Sequence, residues 1–294
     1  MLGPTFDRRD ILNMAVAASA APAAFGTPVT ADDESPPLHI IDTNVSLFQW
    51  PFRRMPLDRT DVLVAKLRSL GVVQAWAGSF EGLLHRDVAG VNQRLAAACE
   101  EHADLIPIGT INPASPGWND DLDRCITEHN MPGIRLHPNY HRYSLTDARF
   151  TELLSLATDA GLLVQITVAM EDTRTQHSLV RVPDVDLGPL SSRNGLVPGA
   201  RVQILNARLQ PAELKTLSSN VGIFFDTARV DGTDGVPSLL NSVPRGRVLF
   251  GSHAPFLIPE AALIRVHESG RLDQSSLAAV LSGNARSVLG ESTS

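Results

Sequence analysis

Apolar residues along this chain fall in short β-rich runs, each ending in a polar burst and followed by a longer stretch with helical spacing. The runs are Leu38–Ile41, Val72–Ala77, Leu105–Ile111, Ile134–Leu136, Leu162–Val168, Val202–Leu205, Val221–Phe225 and Val248–Phe250. Between them the spacing predicts helices near Asp58–Leu70, Val88–His102, Asn119–His129, Asp147–Ala160 and Pro211–Ser218, with closing helices near Pro259–Glu268 and Gln274–Leu289. Gly71 and Gly161 stand where the first and fourth of these should stop. The runs are continuously apolar rather than alternating, the pattern of strands covered on both faces. Eight such runs alternating with helices predict an α/β fold, a single-domain (β/α)8 TIM barrel over residues 38–290. A doubly wound open sheet competes with it, but no run is followed by Gly-x-Gly-x-x-Gly, which removes support from its dinucleotide-binding form.

The polar bursts carry the candidate chemistry. A barrel builds its site at the carboxyl ends of its strands. That rule gathers Asp42, Asn44, Ser46, Ser79, Glu81, Asn112, Arg135, His137, His141, Glu171, Asp172, Asn206, Asp226 and His253 around one mouth. Any one of them serves equally well as a solvated rim residue; their recurrence at nearly every strand end points to a site. The densest burst is Gly133–His141, which holds Arg135, His137 and His141. Pro138 disfavours the α region for His137, so the two histidines should not share a helix face, and a rigid loop is expected beyond Leu136. The segment Trp50-Pro51-Phe52-Arg53-Arg54 suits either a substrate lid or a plug packed over the mouth. His177, in an irregular proline-bearing insertion, reads as a loop-packing residue.

Charge and cysteine content narrow the partners. Lys+Arg number 25 against 32 Asp+Glu, a net charge of −7 with no basic run, which disfavours nucleic acid. Cys99 and Cys125 fall in predicted helices and read as buried free thiols, too few for a disulfide framework. No internal apolar run reaches the ~20 residues needed to span a bilayer. At the amino end, Arg8-Arg9 precedes Ile11–Ala31, which has no charged residue and many alanines. This predicts a twin-arginine export signal over 1–31, a linker over 32–37, and a mature protein exported to the periplasm. A small-molecule substrate is the expected partner, and homo-oligomerisation stays open.

Four stretches resemble a known family: Ile41-Asp42-Thr43-Asn44, Gly133–Pro138, Arg247-Val248-Leu249-Phe250-Gly251-Ser252 and Gly283-Asn284-Ala285. Together they are similar to the amidohydrolase-related family, in the branch with aminocarboxymuconate-semialdehyde decarboxylase-like and 2-pyrone-4,6-dicarboxylate lactonase-like enzymes. The resemblance covers about Leu38 to Gly290 and implies the barrel. In the family's metal-dependent members the first strand ends in His-x-His; here those places hold Asn44 and Ser46. The fifth-strand histidine is replaced near Thr167, the sixth-strand histidine by Asn206, and the eighth-strand aspartate by His253. Asn and Ser are poor substitutes for imidazole on Zn²⁺, so the family's metal site is not expected here and no cofactor is predicted. The lactonase-like branch works without metal, so this loss need not end hydrolysis.

Three functions follow. The first is a metal-independent hydrolase of a small, carboxylate-bearing lactone, ester, amide or related carbonyl compound. In it His253, titrating near neutral, is the general base. Arg135, Arg53 or Arg54 holds the substrate carboxylate. His137, His141, Asn44 and Asn206 polarise the carbonyl. Asp226 joins the catalytic set, and Ser46 and Glu171 line the substrate. The second is a hydrolase or decarboxylase with a relocated divalent metal (Zn²⁺) on His137, His141, His177 or His253 with Glu171 or Asp172. The third is a barrel with a degraded site that binds a ligand or a partner protein. Barrels host many functions, so the fold does not choose among them.

Overall fold

The computed structural model describes residues 39–192 and 195–290, so the predicted leader at 1–31 and linker at 32–37 lie outside the described residues. Parallel strands alternate with helices, as the run pattern requires. The amino half holds β1 (Ile40–Leu47), α1 (Thr60–Ser69), β2 (Val72–Ser79), α2 (Val88–Glu100), β3 (Leu105–Pro107), β4 (Gly109–Thr110), α3 (Trp118–Thr127), β5 (Gly133–Leu136), α4 (Pro138–His141) and α5 (Ala148–Asp159). Next come β6 (Leu163–Thr167), β7 (Arg201–Leu205), α6 (Pro211–Leu217), β8 (Ile223–Asp226), α7 (Gly235–Ser242), β9 (Val248–Leu249), α8 (Pro259–His267), α9 (Gln274–Ala278) and α10 (Asn284–Leu289). A π-helical turn over Ala279–Gly283 joins the last two. No helix among the described residues is long and apolar enough to cross a membrane.

The nine strands make eight barrel positions. β3 pairs with β2 and β4 with β5, so the third position is one strand broken at Ile108, whose N–H donates to the Ala77 carbonyl at 2.8 Å. The ring closes between β9 and β1: Thr43 donates its backbone N–H to Phe250 O at 2.9 Å, and Ser46 to Ala254 O at 2.9 Å. Outside the strands, Leu63, Leu67, Leu95, Leu122, Phe150 and Leu153 lie buried on the helices' inner faces. Each such side chain contributes roughly 1.5–3 kcal/mol on burial. Local signals set the helix ends. Asp87 accepts from Gly90 N at 2.9 Å to start α2, and Asp147 accepts from Arg149 N at 3.0 Å to start α5.

Three expectations change. β1 runs to Leu47, far beyond the predicted Ile41, and all eight of its residues are buried. Its Asp42, Thr43, Asn44 and Ser46 find hydrogen-bond partners inside the barrel, so polarity there does not mark a strand end. The stretch after Leu136 is a helical turn, α4, rather than a loop. Pro138 sits at its first position, where its fixed φ suits a helix, and His137 (φ −126°, ψ 66°) stays outside the α region as the preceding residue. α7 is a helix that the run pattern did not reveal.

The barrel interior is partly polar. Register aligns Arg135 with Gln165 and Gln165 with Gln203 on successive strands. Gln165 Nε2 donates to Thr43 O and to Gln203 Oε1, both at 2.8 Å, and Gln203 Nε2 donates to Thr43 Oγ1 at 2.7 Å. Buried polar groups are tolerable when each is paired, and this layer forms the floor beneath the mouth.

Candidate active site

Where the carboxyl ends of β7 and β8 face the middle of β1, three predicted residues meet. Asn44 Nδ2 donates to Asn206 Oδ1 at 2.8 Å and to Asp226 Oδ2 at 2.7 Å. The Asn206 backbone N–H also points at the Asp226 carboxylate, 3.2 Å from Oδ1 and 3.3 Å from Oδ2. Gly251 makes this closeness possible, because a Cβ there would stand 2.9 Å from Asn44 Cβ and 3.2 Å from Asp226 Cβ. Asn206 has φ 59°, a left-handed conformation that asparagine tolerates better than most residues. Burial drives the Asp226 carboxyl up to about 7, against the hydrogen bonds from Asn44 and Asn206 that favour its charged form. Asp42 lies deeper, accepting from Asn44 N at 3.1 Å and Ser252 N at 2.9 Å, and burial raises it to about 6.

The histidines are held neutral. His253 has φ 59°, and its backbone N–H donates to Asn44 O at 2.8 Å. Its Nε2 lies 2.7 Å from Met170 O, and only an N–H bonds a carbonyl, so Nδ1 carries the lone pair. Nδ1 has no partner, and the ring stacks on Phe256 at 5.2 Å. Burial lowers the imidazole to about 3. The expectation that His253 titrates near neutral is thereby corrected: it is a neutral, weakly basic ring. His137 is buried with neither ring nitrogen partnered, and burial holds it well below the ordinary histidine value. The His141 ring stands 5.9 Å from it, its Nε2 on Gly82 O at 2.9 Å, its own value lowered by burial.

Above these groups the Trp50–Arg54 segment is a plug. Trp50 is buried and meets the rings of Phe52, Phe80, Tyr140 and Phe256 edge-on at 5.7, 5.5, 6.5 and 5.0 Å. Arg53 lies over the Phe256 ring at 4.9 Å and pairs with buried Glu171 at 2.7 Å. Phe52 stacks on His177 at 5.0 Å, so that histidine packs the cap.

Two arginines depart from their expected places. Arg135 is buried in the barrel interior with its guanidinium fully engaged: Nε on Gln165 Oε1 at 2.8 Å, Nη1 on Val45 O at 2.8 Å and Ser46 Oγ at 3.3 Å, Nη2 on Trp76 O at 3.3 Å. A Cβ on Gly78 would fall 2.7 Å from Nη1, so that glycine gives the guanidinium room. Arg135 therefore braces the floor instead of clamping a substrate carboxylate, and Ser46 is its partner. Arg54 turns outward to Asp58, 2.5 Å away, because the plug points its side chain into solvent. Ser79, Glu81, Asn112 and Asp172 are rim residues that cap turns or pair with surface arginines.

Sequence reasoning missed Arg229, in the loop after β8, and the glutamine pair of the floor. The glutamines left a signal, as single polar residues inside the runs Leu163–Thr167 and Arg201–Leu205. Arg229 left none. Asp42 Oδ2, Trp50 Nε1, both His137 nitrogens, Tyr140 OH, Thr167 Oγ1 and His253 Nδ1 are among the buried side-chain atoms without partners. A buried unpaired polar group costs about 1–3 kcal/mol, so this concentration suits a site that binds a polar molecule and moves protons.

Residues 41–185 match the amidohydrolase family model. Over this stretch, just under half of its length, the chain is similar to the amidohydrolase family. The barrel is similar to 5-carboxyvanillate decarboxylase from Sphingomonas paucimobilis (TM-score 0.66, 12% identity, 86% of this chain and 99% of that one). It is similar also to 2,6-dihydroxybenzoate decarboxylase from Rhizobium (0.65, 10%, 86% and 98%). A third is 5-carboxyvanillate decarboxylase from Novosphingobium aromaticivorans, complexed with manganese and 4-hydroxy-3-methoxy-5-nitrobenzoic acid (0.65, 13%, 85% and 96%). At these identities the likeness is one of fold, and it bears out the expected α/β barrel. No curated protein matches the chain in sequence.

Proposed function

We propose that this amidohydrolase-like barrel is a hydrolase of a small, carboxylate-bearing lactone or ester, working by proton transfer at Asp226. One observation carries the reading: Asp226 is buried at the mouth, bonded to Asn44 and Asn206, with its carboxyl raised to about 7. A general base works best when its pKa lies near the working pH. Asp226 takes a proton from water as that water's oxygen bonds to the substrate carbonyl carbon. The C–O bond to the leaving oxygen then breaks, and Asp226 returns the proton to that oxygen. His137, neutral and unpartnered, donates toward the developing oxyanion. Arg53, half-exposed and paired with buried Glu171, exchanges that partner for the substrate carboxylate.

A divalent metal does not fit these residues. The oxygens best placed as ligands, Asn206 Oδ1 and Asp226 Oδ2, both face the Asn44 amide nitrogen, which presents hydrogens and has no lone pair for a cation. Among the described residues no group of three or more His, Cys, Asp or Glu is placed to hold a metal ion. The relocated site on His137, His141 or His253 gains no support from that placement, and no step is routed through a metal.

A decarboxylase is the second reading, favoured by the named activities of the fold relatives. There a protonated Asp226 would give its proton to the carbon that CO2 leaves. The test uses protein stripped with a chelator, offered lactones, esters and carboxylated phenols, with acid release and CO2 release followed in parallel. Acid release that Asp226→Asn abolishes supports the hydrolase; CO2 release supports the decarboxylase. No turnover across the panel contradicts both and favours a binding protein. Export through the leader at 1–31 is proposed with it; unchanged fractionation of cells carrying Arg8→Lys with Arg9→Lys would contradict that part.

A further inference from the structure

A cavity lies outside the barrel. Its volume is about 580 Å³, within the ~300–1,000 Å³ usual for small-molecule sites. Ile204 and Phe225, neighbours in register, form its inner wall. The side chains before and after them, Gln203 and Asp226, reach Thr43 and Asn44 inside the barrel. Alternation along a strand therefore turns Ile204 and Phe225 outward, toward α6 and α7. Leu214 and Leu239 on those helices, with Val230, complete an apolar chamber.

Its charged residues form an uneven set. Arg208 is paired with Asp172 at 3.4 Å and Asp231 at 3.3 Å, and Asp234 with Arg271 at 2.9 Å. Asp226 is held by Asn44. Arg229 alone among the lining charges makes no hydrogen bond or ion pair with any described residue, although it is half-buried. Its burial lowers the guanidinium from its ordinary value. A partly desolvated arginine beside an apolar chamber suits one class of ligand, since guanidinium binds carboxylate bidentately and the chamber takes the hydrocarbon.

We propose that the cavity between α6, α7 and the outer face of β7–β8 binds a small monocarboxylate, its carboxylate on Arg229 and its apolar body among Ile204, Leu214, Phe225 and Leu239. This site opens outside the barrel and shares only Asp226 with the mouth, and it does not depend on the hydrolase reading. The test is amide-shift mapping of the whole protein with hexanoate and benzoate, with hexan-1-ol and benzyl alcohol as uncharged controls. The carboxylates should shift amides over 204–214 and 225–242, with the alcohols at least about tenfold weaker. Arg229→Gln should weaken carboxylate binding by about tenfold or more. Ser238→Phe, made at an exposed lining position, should block it with the thermal melt unchanged. Equal binding of acid and alcohol, undiminished binding by Arg229→Gln, shifts that leave the α6 and α7 amides over 211–217 and 235–242 unmoved, or no binding at about 10 mM would each overturn the proposal.

Discussion

Asn44 places its side-chain nitrogen 2.7 Å from Asp226 Oδ2 and 2.8 Å from Asn206 Oδ1, so one amide of β1 ties together the ends of β7 and β8. The contact favours the charged form of Asp226, and burial favours the neutral form more strongly. The result is a carboxyl poised to exchange its proton near neutrality, held by donors that have no need of a cation.

That balance fixes how stability changes with pH. Asp226 is raised in the folded state from 3.8 to about 7, so the fold binds its proton more tightly than the unfolded chain does. Its contribution is complete below about pH 4 and is lost as pH rises through 7, on the order of 4 kcal/mol in all. His253, lowered from 6.5 to about 3, has the opposite slope: its contribution is present above 6.5 and is lost as pH falls toward 3. Asp226→Asn removes only the first. Its melting temperature relative to wild type should rise between pH 4 and about pH 7 and level off above it in calorimetry; a constant difference would refute the raised carboxyl.

The floor predicts a large stability effect. Arg135→Met removes four hydrogen bonds and leaves Gln165 Oε1 buried without its donor, and the Val45 and Trp76 carbonyls with only their strand partners. The loss should be about 3–5 kcal/mol by urea unfolding. Arg135→Lys should recover less than half of it, because an ammonium lacks the fork that reaches four acceptors. A loss below about 1 kcal/mol, the range of an exposed ion pair, would return Arg135 to the list of substrate-binding residues.

Much of the barrel was legible in the sequence because its outer face follows a simple rule: apolar runs pack against apolar helix faces. The mouth followed too, since Asn206, Asp226 and His253 stand at or just beyond carboxyl ends, with Asn44 reaching them from within β1. What the rule misjudged is the interior. Asp42, Thr43, Asn44 and Ser46 made β1 look finished at Ile41, because their partners, such as Gln203 and Arg135, lie some ninety or more positions away in the chain. The same distance hid the role of Arg135, which reads as a surface-seeking cation until β1 and β2 surround it. His253 was misjudged for a related reason: residue type gives the ordinary imidazole value, and only burial lowers it to about 3.

The plug separates two contributions at one surface. Trp50→Ala removes a buried ring that four aromatic rings surround and should cost about 3 kcal/mol. Arg53→Ala breaks the bond to Glu171, but Arg53 is 45% exposed, so the loss should stay within ~1 kcal/mol. Both variants should speed amide hydrogen exchange over 49–56 while the strands keep their protection. Unchanged exchange in Arg53→Ala would show that the ion pair does not fasten the plug.

On turnover the two central residues should differ. Asp226→Asn should lower kcat by about 10²-fold or more, in the range of a lost general base. His253→Asn keeps a residue that tolerates the left-handed backbone at φ 59° and should lower kcat less, since a ring held at about 3 takes up little proton at neutral pH. The reverse order, read from initial rates on any substrate the panel yields, would return the base to His253.

Carbon-13 titration of the aspartate carboxyls, wild type against Asp226→Asn, needs no substrate and tests the proton-transfer site most directly. One resonance should titrate near pH 7 in wild type and be missing from the variant, with Asp42 remaining near 6 or falling as its charged neighbour is removed. An Asp226 resonance that titrates below about pH 5, in the ordinary carboxylate range, would contradict it.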